Sequence, residues 1–170
     1  MLTSYRLSPE VLAAFMAWWH KLQADTGPQR AARARLKRAA TLTQVVLEPA
    51  YQNAYQQLFR ASGDAYWTEQ QRDGLAAAVA LAAHLKPAGS PGELSVARAA
   101  SVGDTNPVSA LRFRRLLDAP DMDSLFISLR RLLPLMGDSL DPAQLAQDLF
   151  GWGDEVRKTW AYAYRWPDTN

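Results

Sequence analysis

Apolar side chains recur at intervals of three and four along most of the chain, the spacing that lays them on one face of an α-helix; no stretch alternates residue by residue as a half-buried strand would. Ser8-Pro9-Glu10 opens the first such stretch with a capping serine, a proline at the first helical position and an acid in the first turn. Leu12, Phe15, Met16, Trp19 and Leu22 then share a face until Gly27-Pro28, which predicts a helix over about Pro9–Ala24 with Trp18 at the edge of the core. Residues 28–40 favour a helix by propensity yet carry one large apolar residue, Leu36, so this helix is expected on the surface. Thr41–Leu47 is apolar but short, and Pro49 breaks the pattern or starts a helix running through Tyr51, Tyr55, Leu58 and Phe59.

After a turn at Gly63–Trp67, Thr68 and Gln71 stand at capping-box spacing before the strongest helical run, Thr68–Leu85. Its face of Leu75, Ala78, Val79, Ala82 and Leu85 lets neighbours approach closely, and His84 at its end reads as a partner for the helix dipole. Lys86–Gly92 is the best candidate boundary, with Glu93–Ala100 expected as a short helix beyond it. Pro107–Met136 reads as the organising stretch: two apolar runs, each with its own arginine group, joined by an acidic turn, with Pro134 expected to kink or end the second. Asp141-Pro142 predicts another capped helix with Gln144 at the reciprocal position, and Asp154–Trp166 a last one facing Val156, Trp160, Ala163 and Tyr164 inward. The pattern therefore predicts an all-α fold of eight to nine helices in one or two small packed bundles. The expected division is an N-terminal bundle over 1–86 with its basic helix at 28–40, a connection at 87–92 and a C-terminal bundle over 93–170.

Composition narrows this only slightly. With 170 residues, 48% hydrophobic and 21% charged, the chain is ordinary globular material. No apolar run approaches the roughly 18 residues needed to cross a bilayer, and Met1–Lys21 lacks the order of charges and apolar block of a secretory leader, so a cytoplasmic location is expected and no membrane partner. Zero cysteines exclude disulfides and thiolate chemistry.

Charge changes the picture more by its distribution than by its sum. The net formal charge is only +2. Yet Arg30, Arg33, Arg35, Lys37 and Arg38 occur with no acid between Pro28 and Glu48, and Arg112, Arg114 and Arg115 have only Asp118 near them downstream. At about 100° per residue Arg112 and Arg115 fall about 60° apart beside the apolar stripe, and Arg130 sits at the edge of the second stripe with Arg131 turned further out. Such groups suit phosphate, whose oxygens match the planar fork of arginine; they equally suit a solvated helix face whose stems cover apolar surface.

Reaction chemistry is not signalled. The two histidines, His20 and His84, sit in no metal-ligand pattern, no Walker loop or G-x-S-x-G is present, and the acid pairs Asp121/Asp123 and Asp154/Glu155 stand at helix starts where capping accounts for them. A hydrolase built on Asp154 and Glu155 is the weakest reading, and no enzyme, metal or cofactor is expected.

Four segments in order, ARA at Ala97–Ala99, LRFRRLL at Leu111–Leu117, SLRRLL at Ser128–Leu133 and DLFGWG at Asp148–Gly153 followed by Arg157 and Lys158, resemble the CasB family, the small subunit of type I-E CRISPR surveillance complexes (Cascade). The likeness is closest over Glu93–Trp166 and weaker around the first helix and Arg30–Arg38. It implies a non-catalytic helical protein, present as a head-to-tail pair beside other Cascade subunits. Its basic surface would hold CRISPR RNA and the unwound target DNA strands of the R-loop through sequence-independent backbone contacts in antiviral defence. Carried onto this sequence, the contacts implied are Lys37, Arg38, Arg98, Arg112, Arg115, Arg130, Arg131, Arg157 and Lys158. The acidic turn of Asp118, Asp121 and Asp123 departs from the family's pattern. The alternative is a helical adaptor whose basic faces bind acidic partner proteins.

Overall fold

The structure is a computed structural model that describes residues 6–86, 94–136 and 140–168. It is all-α: among the described residues there are ten helices and no strand beyond one isolated parallel bridge between Leu94 and Leu140. The helices are α1 (Pro9–Leu22), α2 (Gly27–Arg38), α3 (Leu42–Leu47), α4 (Pro49–Ala61), α5 (Glu69–Ala82), α6 (Val96–Ala100), α7 (Ala110–Leu117), α8 (Met122–Met136), α9 (Pro142–Phe150) and α10 (Asp154–Ala163).

The helix beyond the expected eight or nine is α3, formed by the short run 42–47. Six residues cannot sustain a helix alone. Two outside groups meet its unpaired N-terminal amides: Thr41 accepts from Gln44 N, and Asp123 of α8 accepts from Leu42 N at 3.0 Å.

Burial is most complete in α5 rather than in the 107–136 stretch. Every residue from Gly74 to Ala82 is buried, and the Thr68–Gln71 capping box is formed in both directions. Gly74 explains how so small-faced a helix can be enclosed. A Cβ placed there would fall against the carbonyl oxygen of Leu149, with the carbonyl carbon at 2.7 Å and Phe150 Cα at 3.1 Å, so α9 lies against the bare backbone of α5. Around this contact α5 also packs on α8, α3, α2 and α4, and one buried apolar cluster takes in residues from both sides of position 87. The connection expected at 87–92 lies outside the described residues.

Polar ties fix the remaining elements. Trp19 Nε1 donates to Ala82 O at 2.9 Å, satisfying a carbonyl at the C-terminus of α5, and Trp18 is buried beside Phe15. Gln147 of α9 exchanges two hydrogen bonds with the Leu7 backbone, tying the chain's start to α9. Pro134 does not end α8, which continues to Met136. In contrast α10 stops at Ala163, short of the expected Trp166, because Tyr164 leaves the helix: its ring stacks on Phe113 with centroids 4.1 Å apart and its hydroxyl donates to Val108 O at 2.6 Å. Gln144 likewise does not complete a box at α9; it donates to Asp148, which also accepts from Trp160 Nε1.

Candidate nucleic-acid interface

The last turn of α2 lies against α8. Leu36 buries the inner face of α2, which leaves Arg35, Lys37 and Arg38 around its exposed C-terminal end. There the final carbonyls lack helical N–H donors. Arg130 supplies one donor: its Nη2 donates to Lys37 O at 2.9 Å, joining the two basic segments of the sequence across 93 residues. The Arg130 side chain is half-buried, and its Nε is sealed from solvent without a hydrogen-bond partner.

His84 stands in the same neighbourhood, just past the end of α5. Burial first, then the Arg130 and Lys37 cations, hold its imidazole down at about 4, so at neutral pH it is uncharged. It therefore is not the cationic dipole partner that its position in the sequence suggests, because two neighbouring cations oppose a third. The unfolded chain takes up this proton near pH 6.5, whereas the folded one resists until about pH 4. Stability from this residue is thus complete above pH 6.5 and is lost as the pH falls through that window. Discounted for a half-exposed ring, the loss is ~1–2 kcal/mol. Thermal melts from pH 7 to pH 4.5 should show a shallower decline for His84→Gln than for the native protein; parallel declines would refute this assignment.

The other expected contacts differ in how far they are committed to the fold. Arg98 is the exposed member of α6, whose Val96, Ala97, Ala99 and Ala100 are all buried. Arg112 and Arg115 are exposed on α7, opposite the buried Phe113 and Leu116, and Arg131 is exposed beside Arg130. Helix α6 packs on α8 and α10, and α7 packs on the same two, so the helices carrying Arg98, Arg112, Arg115, Arg130, Arg131, Arg157 and Lys158 form one group. Arg157 is engaged internally: Nε donates to Leu117 O at 2.8 Å, and its terminal nitrogens lie 3.3 Å from Asp154 and 3.8 Å from Asp118. Lys158 pairs with Glu155 at 3.5 Å across an exposed surface, a contact too solvated to hold it strongly.

The acidic turn has structural work. Asp121 accepts from Ser124 N at 2.7 Å at the start of α8, which holds its carboxyl below the usual range, Asp123 anchors α3, and Asp118 faces Arg114 and Arg157. In α2, Arg30 pairs with Asp25 at 2.7 Å and Arg33 donates to the Leu22 and Ala24 carbonyls, closing the end of α1. Arg35 instead lines, with Arg38, Gln44, Leu47 and Glu48, a cleft of about 630 Å³ between α2 and α3. It is absent from the implied contacts, although its spacing of three from Arg38 places both on one face.

Among the described residues no group of three histidine, aspartate or glutamate side chains is placed to hold a metal ion, and no helix is long and apolar enough to cross a membrane. A small all-helical protein with cationic margins on several of its helices is thus the class that fold and surface define. The family described as CRISPR-associated protein Cse2, which is the CasB family of type I-E Cascade small subunits, matches residues 32–164, and the chain belongs to it. All the cationic positions implied by the resemblance fall inside the matched span, whereas α1 precedes it. No curated protein and no solved structure matches the chain.

Proposed function

We propose that the protein is a non-catalytic subunit of a cytoplasmic Cascade complex that holds CRISPR RNA and the unwound target DNA strands by their sugar-phosphate backbones, working as a head-to-tail pair beside the other subunits. Membership of the Cse2 family supports the setting. The observation that carries the nucleic-acid reading is the Arg130–Lys37 bond, which turns two basic segments distant in sequence into one ledge. In this reading the ledge crosses the seam between the halves 1–86 and 93–170, with Arg38 and Arg131 as its exposed cations and Arg98, Arg112 and Arg115 extending it over α6 and α7. Cations without a base-reading element suit backbone contact, since sequence is read by guide pairing.

The isolated protein is expected to bind single-stranded RNA and DNA oligonucleotides without sequence preference and to release them steeply as salt rises. Each phosphate contact removed should lower the log–log salt slope by about 0.7. Fluorescence anisotropy on Arg98→Glu/Arg131→Glu should therefore show weaker binding and a slope smaller by roughly one to two, with an unchanged helical circular dichroism spectrum. Native affinity in that variant would overturn the interface. Loss of binding to an acidic partner subunit, with nucleic-acid affinity intact, would favour the adaptor instead.

A further inference from the structure

A second cleft, of about 290 Å³, opens between α3, α4 and the start of α5, and its chemistry is opposite to that of the basic ledge. Tyr51 and Tyr55 wall one side with ring centroids 6.1 Å apart, and Glu69 and Asp73, one turn apart on α5, stand on the other. Gln52 closes the rim by donating to Val46 O at 2.7 Å. Arg72 is the one cation lining the cleft, so its margin carries two carboxylates against one guanidinium.

Two polar groups of the cleft have no hydrogen-bond partner among the described residues. Tyr51 is only 3% exposed, yet among the described residues its hydroxyl makes no hydrogen bond, although it lines the cleft. The ring is buried while the hydroxyl opens to the cleft, where a donor can reach it. Asp73 likewise makes no hydrogen bond or ion pair among the described residues, whereas the neighbouring Asp123 is bonded to Leu42 N. Burial first, then the Glu69 and Asp123 carboxylates, push the Asp73 carboxyl above its usual range, with Arg72 opposing them. A phosphate would be repelled here. A metal ion would find too few oxygen ligands, since hard cations take about six or more.

We infer that this cleft receives one organic cation, a guanidinium or alkylammonium group, set against the half-buried Tyr55 ring, paired with Glu69 and Asp73 and accepted by the Tyr51 hydroxyl oxygen. An aromatic ring attracts such a cation, and one exposed and one partly buried carboxylate add charge-assisted hydrogen bonds. The group has two possible sources, an arginine or lysine side chain of a neighbouring protein and a free polyamine. The site does not depend on the nucleic-acid reading and lies on different helices from the Arg130–Lys37 ledge.

The test is titration of the full chain with spermidine and, separately, with a glycine-flanked, end-blocked arginine peptide, following tyrosine fluorescence and amide NMR shifts. Saturable binding below about 10 mM is expected for at least one probe, with shifts centred on α4 and the first turns of α5. Tighter binding of the peptide identifies a protein side chain as the occupant, and tighter binding of spermidine a free polyamine. Glu69→Gln/Asp73→Asn should weaken the preferred probe at least tenfold and Tyr51→Phe severalfold, with native melting curves in both. Absence of saturation for both probes, or native affinity in either variant, overturns the site.

Discussion

Gly74→Ala is expected to destabilise the protein by ~3–4 kcal/mol, the upper end of what overpacking costs, and to lower the melting temperature by many degrees. Two effects compete. Alanine in a helix interior normally gains ~0.5–1 kcal/mol over glycine. Here, however, the added methyl meets the backbone of Leu149 and Phe150, not the tip of a flexible side chain, so relief requires moving α9 bodily away from α5. That movement would open the most enclosed surface in the molecule, where α5 is buried from Gly74 to Ala82 and Leu145, Leu149 and Phe150 cover it from α9. The steric term wins. Gly27→Ala is the matched control: a Cβ there meets nothing within 4 Å, and the change should stay within about 0.5 kcal/mol. Urea unfolding of the three proteins decides it; a Gly74→Ala protein as stable as the native one would mean that the two helices do not meet backbone to backbone.

Local chemistry in the sequence was enough to read most helix starts. Ser8, Thr68 and Asp141 each cap where their spacing indicates, since these interactions lie within a few residues. Readings failed where a distant partner outbid a local one. Tyr164 leaves α10 for Phe113 and Val108, and Gln144 turns to Asp148 because Trp160 fixes that carboxylate in place. Helix α3 depends on Asp123, 81 positions away. The importance of α5 over the 107–136 pair was written in an alanine-rich run preceded by one glycine, but composition alone does not say which helix lies against a bare backbone.

The candidate surface was legible as clusters, not as individual roles. Segregated charge marked α2, α7 and α8 correctly as cationic helices. Which cations are engaged by the fold depends on carbonyls whose positions appear only after packing: Arg33 closes α1, Arg157 meets the end of α7, and Arg130 meets the end of α2. In all three cases a guanidinium answers the unpaired carbonyls near a helix C-terminus. The residue types are the same as those of the exposed arginines, so the sequence pattern treats them alike.

Arg130 and Arg131, adjacent in sequence, are expected to fail in different ways when their charge is reversed. Arg131 is exposed, so Arg131→Glu should fold with native stability and weaken single-strand binding, as a phosphate-facing cation would. Arg130→Glu removes the donor to Lys37 O and sets a half-buried carboxylate beside that carbonyl oxygen, with ~3–5 kcal/mol expected from the lost bond and the uncompensated charge. Lys37 and the neutral His84 could relieve only part of that cost, since an ammonium that bends inward leaves the solvent and the ledge it belongs to. Arg130→Met separates packing from charge: it keeps the stem, loses one hydrogen bond and should cost ~1–2 kcal/mol. It also removes one of the two cations that add to burial in holding His84 near 4, so the His84 titration followed by NMR should move upward in the Met variant and stay in place in Arg131→Glu. If Arg130→Met leaves both the His84 titration and the melting curve unchanged, Arg130 does not bridge α2 and α8, and the ledge that joins the two basic segments does not exist.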